Sequence, residues 1–250
     1  MAEAALTGKV VLVTGGAKRV GAEISRRLHA AGASVMLHYH SAKAEAQRLA
    51  AELNAARADS AATVQANLLN AAELPELVRT AVTRYARLDV LVNNASSFHA
   101  TPLGDIKVPD WDDLMGTNLK APLFIAQAAA PHLRKSSGCI VNITDIHAER
   151  PLKNYVVYSV AKAGLAALTR SLARELGPDV RVNGVAPGPV LWPEDDSFDE
   201  LARQRVISHT LLKRAGEPED IAAAVYYLVA DAPFVTGQII AVDGGRSVNL

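Results

Sequence analysis

Seven short apolar runs alternate with longer amphipathic segments along all 250 residues of this chain, and that alternation leaves few ways to fold. The runs are "KVVLVT", "SVMLHY", "ATVQA", "LDVLVN", "CIVNIT", "VRVNGVAP" and "QIIAVDGG". Between them lie helical patterns over about 18–31, 42–56, 71–86, 110–135, 155–177, 197–209 and 218–230. Strands that alternate with helices, several of them apolar throughout, belong to a parallel sheet covered on both faces. The expected fold is therefore a doubly wound α/β fold. In such folds ligands bind outside the carboxyl ends of the strands, near the point where the strand order reverses. The residues just after each strand are the ones to search for chemistry.

Half of the residues are hydrophobic, enough for a full core, and no Pro/Gly/Ser-rich linker or internal repeat divides the chain, so residues 1–250 read as one domain. Twenty-six basic residues balance twenty-six acidic ones, which gives no electrostatic reason to expect nucleic acid or an anionic membrane as partner. No targeting segment or bilayer-length apolar stretch is seen, and the single Cys139, inside an apolar run, excludes an internal disulfide framework; a cytoplasmic location is the expectation. Cys139 itself reads as a small buried hydrophobe.

The first turn is "TGGAKRVG", Thr14 to Gly21. Gly15 and Gly16 permit a tight turn, and Gly21 lies in a helix whose first amides face an anion. The middle glycine of the usual dinucleotide fingerprint is replaced by Arg19, and Lys18 precedes it. Cations at a helix N-terminus oppose its dipole, an objection that an anionic ligand removes. After the second strand an NAD-binding protein presents an acid to the ribose 2′-hydroxyl. Here "HYHSAK" offers His38, Tyr39, His40, Ser41 and Lys43, with no acid before Glu45. Lys18, Arg19, His40 and Ser41 together argue for NADP(H). His38 and His40 lack a nearby carboxylate or thiolate to complete a metal site, so no metal is expected.

"YSVAK" sets Tyr158 and Lys162 four residues apart on one helical face, where a phenol can donate a proton and a nearby ammonium can stabilise the phenolate. Asp145 stands just after "CIVNIT", "NNAS" (Asn93 to Ser96) follows the fourth strand, and Asn118 lies in the next helix. Together these motifs resemble the short-chain dehydrogenase/reductase family, and the resemblance runs through "PGPV" to the closing "VDGG". It implies a Rossmann-type domain with a parallel seven-stranded sheet. It implies that Tyr158 exchanges the substrate proton, that Lys162 holds the nicotinamide ribose, and that Asn118 anchors a water relay. Val20, Leu68, Asn94, Ala95, Ser96, Pro187 and Gly188 fall at its cofactor-binding positions. A homotetramer packed through the long helices is implied too.

Most members carry a Ser where this chain has Asp145. A hydroxyl suits a neutral C=O, whereas a carboxylate suits a substrate with N–H donors or a ring nitrogen awaiting a proton. That Asp, the Arg of the turn, "LHYH" and "NNASSFHATPL" resemble the pteridine reductase branch. The branch implies hydride transfer from NADPH to a C=N bond of a pterin, with Tyr158 supplying the proton and Asp145 orienting the ring. It places Phe98 over the pterin, with Ser96 beside it, and Arg19 on both cofactor phosphate and substrate; packing of Phe98 onto the core is the competing use. Trp192 falls on the outer wall of the substrate loop, about 189–210.

The chain departs from the branch in three places. Ser41 replaces the Arg expected at the 2′-phosphate, and Asn67 replaces the Asp facing the adenine, although its amide oxygen can still accept. "VLWPEDDSFDEL" is acidic, with Asp195, Asp196 and Asp199, and reads as a solvated loop with a helix cap at Ser197. That acidity favours a small pterin over a folate. An ordinary carbonyl reductase of the family, acting on a 3-oxoacyl thioester or a sugar, and a non-catalytic NADP(H) sensor are the rival readings.

Overall fold

The computed structural model describes residues 4–192 and 199–249. Its centre is one parallel sheet of seven strands: β1 Val10–Val13, β2 Ser34–Tyr39, β3 Ala61–Gln65, β4 Val90–Asn93, β5 Cys139–Ile143, β6 Arg181–Pro187 and β7 Ile239–Val242. Their order is β3-β2-β1-β4-β5-β6-β7, so the chain reverses direction across the sheet between β1 and β4. Among the described residues eight α-helices cover it: α1 Arg19–Ala30, α2 Lys43–Ala56, α3 Leu74–Tyr85, α4 Val108–Met115, α5 Ala121–Ser136, α6 Val156–Leu176, α7 Glu200–Ser208 and α8 Pro218–Tyr226.

Alternation within each strand explains the two layers. Val11 and Val13 pack on one face against Ile24 and Leu28 of α1 and Ile221 of α8. Val10 and Leu12 pack on the other, against Leu77 of α3 and Ile125 of α5. A strand buried on both sides has no polar face, which is why β1, β4 and β5 are buried at every position. Cys139 lies 3 % exposed at the start of β5, and burial pushes its thiol up to about 11, so it packs rather than reacts. No helix among the described residues is long and apolar enough to cross a membrane.

Two differences from the sequence reading bear on the site. The helix expected over 110–135 is interrupted by a wide π-helical turn at Gly116–Lys120. Pro122 is the physical reason: it has no N–H for the carbonyl of Asn118, and its ring crowds that carbonyl. The Asn118 side chain then donates to the Leu114 carbonyl at 2.9 Å, which fixes the asparagine at the sheet's active edge. The helix expected from 197 starts at Glu200, with the Asp199 carboxylate accepting from the Ala202 amide at 2.7 Å. The expected cap, Ser197, lies outside the described residues, as do Asp195 and Asp196.

Candidate active site

At the reversal between β1 and β4 the strand ends are tied together by Thr14. Its hydroxyl accepts from the amides of Asn94 and Ala95 at 2.9 and 3.1 Å. The Asn94 side chain donates in return to the carbonyls of Thr14 and Gly15. Gly15 turns at φ +60°, and α1 comes so close behind it that a Cβ on Gly21 would stand 2.1 Å from the Gly15 carbonyl oxygen. This leaves the first amides of α1 open toward the cleft, since Lys18 makes no side-chain cap. A cradle of this shape fits a dinucleotide pyrophosphate.

Lys18 and Arg19 line the cleft, whereas the residues at the end of β2 are placed differently from the sequence expectation. His38 is not a rim residue: it lies 2 % exposed beneath the turn, its Nδ1 accepting from the Gly15 amide and its Nε2 facing the Ala66 carbonyl, both at 3.1 Å. These partners require the neutral ring with its proton on Nε2. Burial lowers its pKa to about 4. His38 therefore holds the turn from below, and its contribution to cofactor binding is indirect. Tyr39 is likewise buried, against Ala17 and Ala46. Lys18 pairs with Glu45 at 3.2 Å, while His40 and Ser41 are exposed at the end of β2 and do not line the main cleft. Asn67 and Leu68 also stand off that cleft: the Asn67 side-chain oxygen accepts from the Leu69 amide at 3.0 Å, and Leu68 packs into the core.

The His38 arrangement has a pH signature. The unfolded chain protonates this ring near 6.5 and the folded one only near 4, so the unfolded state binds the extra proton in between and stability falls as pH drops through that window. The shift corresponds to about 3 kcal/mol at its full extent. Urea unfolding of the wild type and His38→Gln at pH 7.5 and 5 is expected to show a smaller loss in the variant.

Arg19 is bent into the left-handed region at φ +53°, the conformation a glycine would adopt without strain. Its Nη2 reaches across the cleft to donate to the Trp192 carbonyl at 2.8 Å. Left-handed backbone in a bulky residue costs roughly 1–3 kcal/mol and is kept where the side chain has work to do. Arg19→Gly is expected to raise stability to urea by about 1 kcal/mol, while the KM values for cofactor and substrate rise.

The chemistry gathers at the end of β5. Asp145 has extended backbone, and its Oδ1 accepts from the His147 amide at 2.8 Å. The Tyr158 hydroxyl donates to its Oδ2 at 2.7 Å. Lys162, one turn along α6 and 2 % exposed, donates from Nζ to the Ile143 carbonyl at 3.0 Å and stands 5.6 Å from the Tyr158 ring centre. Burial pushes the Lys162 pKa down to about 8, with the Asp145 charge acting in the opposite direction. Tyr158 is pushed up, first by burial and then by the charge and hydrogen bond of Asp145, with Ser96 opposing. The phenol is thus a held proton donor at neutral pH.

Asn118 is fully buried behind this group, accepting from the Ser96 hydroxyl at 2.6 Å and donating to the Ser97 carbonyl at 3.0 Å. Phe98 stacks on Tyr155 with ring centres 4.6 Å apart and meets Tyr158 edge-on at 4.8 Å. One face of Phe98 packs on Tyr155, the competing use foreseen for it, and the residue also lines the cleft. At most the other face serves a ligand.

All of this opens into one cleft of about 780 Å³. Gly15, Lys18, Arg19, Val20, Gly21, Asn94, Ala95 and Ser96 line it. Asp145, Tyr158, Lys162, Pro187, Gly188, Phe98 and Trp192 share the lining. Sequence reasoning missed His147, Leu152 and Arg246, which share the lining, and Tyr155; Val206, also in the lining, falls in the expected substrate loop. Tyr155 carried a signal, lying three residues before Tyr158; Arg246 follows the last strand and carried none.

Known proteins match this arrangement across nearly its whole length. The family model described as enoyl-(acyl carrier protein) reductase matches residues 14–247. Pteridine reductase 1 of Leishmania tarentolae is 40 % identical, covering 97 % of each chain. The chain belongs to the short-chain dehydrogenase/reductase family. Other short-chain dehydrogenase/reductase relatives are similar to nearly the same degree. A putative ketoacyl reductase 2 of the granaticin polyketide synthase from Streptomyces violaceoruber is 38 % identical over 98 % of each chain. A 3-oxoacyl-(acyl-carrier-protein) reductase of Staphylococcus aureus is 35 % identical, over 95 % of this chain and 97 % of its own. The crystal structure of a blue fluorescent protein from a metagenomic library, in complex with NADPH, superposes with a TM-score of 0.91 at 37 % identity, covering 96 % of this chain and 98 % of that one. Family membership fixes the class of oxidoreductase and leaves the substrate to the site.

Proposed function

We propose that this short-chain dehydrogenase/reductase is an NADPH-dependent pteridine reductase acting on a C=N bond of a dihydropterin. The observation that carries the reading is the Asp145 carboxylate hydrogen-bonded to the Tyr158 hydroxyl, where a ketone reductase of the family has a serine hydroxyl. The 40 % identity to a pteridine reductase and the NADPH-bound structural relative support it.

The glycine cradle and the open amides of α1 would hold the pyrophosphate, Arg19 with Lys18 would meet the phosphates, and Lys162 would hold the nicotinamide ribose. NADPH supplies the hydride when bound. Tyr158 gives its proton to the ring nitrogen as the adjacent carbon is reduced, and the Lys162 ammonium stabilises the phenolate left behind. Asp145, its Oδ1 already fixed by the His147 amide, turns Oδ2 to the N–H edge of the pterin. Ser96 and Asn118 align Tyr158, and the open face of Phe98 covers the ring. The described residues 189–192 and 199–210 flank the expected substrate loop. Half-exposed Leu123, Phe124, Val156 and Val160 on α5 and α6 support a homotetramer packed through these helices.

A second reading, a 3-oxoacyl thioester reductase, has the 38 % and 35 % identical ketoacyl reductases in its favour. NADPH oxidation by the purified protein, measured side by side with dihydrobiopterin and an acetoacetyl thioester, separates the two. The pterin is expected to give the higher kcat/KM. Preference for the thioester would establish the second reading, and NADPH binding without oxidation of either a sensor.

A further inference from the structure

Arg246 lines the cleft from the C-terminal turn Arg246–Val248, which follows β7 and the closing "VDGG". Its Nη1 donates to the Val206 carbonyl of α7 at 2.8 Å, which anchors the guanidinium where the substrate loop packs. Ser247 lines a smaller cavity of about 180 Å³ together with Asp145 and Ile146, so the turn carrying Arg246 lies against the segment that bears the catalytic carboxylate.

The charge is partly desolvated: burial holds the guanidinium below its ordinary pKa, with Asp243 acting the other way. Asp243 does not neutralise it by contact, because its oxygens accept from the amides of Gly245 and Ser247. No ion pair with a described carboxylate holds Arg246. A guanidinium has five donors in a planar fork, and here one arm is tied to a carbonyl while the cation faces a ligand cleft. Half-buried charge of this kind is stabilised by an anion that arrives with the ligand.

We infer that Arg246 is a specificity-determining residue that receives an anionic group carried by the substrate at a distance from its reacting C=N bond. The inference rests on the pterin reading and deepens it: an acidic tail, as in dihydrofolate, is preferred over a neutral one, as in dihydrobiopterin. This reverses the preference suggested by the acidic sequence of the substrate loop. Arg246 acts on binding and leaves the proton transfer to Tyr158.

The test is the ratio of kcat/KM for dihydrofolate to that for dihydrobiopterin, in the wild type and in Arg246→Ala and Arg246→Lys. A hydrogen-bonded charge pair predicts that the ratio falls about tenfold in Arg246→Ala, through KM, and is largely restored in Arg246→Lys. Added salt is expected to lower the wild-type ratio as well. A ratio unchanged by Arg246→Ala, including the case in which both substrates weaken together, overturns the assignment. If the wild type reduces only the acetoacetyl thioester, the pterin reading has failed. The same ratio is then read with acetoacetyl-CoA, which carries phosphates, against the uncharged N-acetylcysteamine thioester, and decides on Arg246 by the same criterion. If nothing is turned over, the Kd values of folate and biopterin for the NADP+ complex of each variant are compared in the same way.

Discussion

Asp145→Ser is expected to lower dihydropterin turnover by about 10²-fold or more while leaving the Kd for NADPH within about twofold, because positioned acid–base and hydrogen-bonding groups contribute on that scale. The carboxylate stands at the end of β5, and no hydrogen bond links it to the glycine cradle; its partners are the His147 amide and Tyr158. A serine hydroxyl could still meet Tyr158, but it carries no charge to draw the N–H edge of a pterin. The variant recreates the side chain suited to a neutral carbonyl, so acetoacetyl thioester reduction is expected to rise in it. Steady-state kinetics with both substrates, and fluorescence titration of NADPH, read the three quantities separately. Unchanged pterin turnover would remove Asp145 from the mechanism.

Tyr158→Phe is expected to cost more, about 10³-fold in kcat with either substrate class. In the proposed mechanism the phenol is the proton donor whatever the substrate, and Phe fills the same space against Phe98 and within α6, so the variant is expected to fold. The loss leaves Asp145 Oδ2 without its donor, which removes a charge-assisted hydrogen bond. On the proposed mechanism the two variants divide the site: Tyr158→Phe is expected to slow either reaction, and Asp145→Ser to change which double bond is reduced. Equal circular dichroism and NADPH affinity, with a single-turnover hydride step slowed about 10³-fold, is the expected pattern. A modest loss confined to KM would mean that a different group delivers the proton.

The layers of the fold were legible because burial on both faces writes itself into a strand as an unbroken apolar run; β2 was placed at Ser34–Tyr39, the limits observed. Its last residues were harder to interpret. His38 lies inside the strand and points beneath the phosphate turn, and nothing in "HYHSAK" distinguishes a polar residue buried against backbone from one facing a phosphate. Only the tertiary partners, Gly15 and Ala66, reveal the difference. The break between α4 and α5 did have a local cause in Pro122, which periodicity alone overlooks. The strained backbone of Arg19 follows from its standing in a glycine position, a cost visible only when φ is measured. Asp145, Tyr158 and Lys162 were legible as a motif, and the structure adds the 2.7 Å contact that joins two of them. Arg246 and Val206 come from segments distant in sequence and meet through the packing of α7 on the C-terminal turn, a relation no spacing encodes.

A crystal structure of the ternary complex with NADP+ and a dihydropterin puts the central proposal to the most direct test. The pterin is predicted to lie between the nicotinamide and Phe98, with a ring nitrogen within hydrogen-bonding distance of Asp145 Oδ2 and the nitrogen to be protonated facing the Tyr158 hydroxyl. A ring bound elsewhere in the cleft, or one whose nitrogen edge turns away from Asp145, would contradict it.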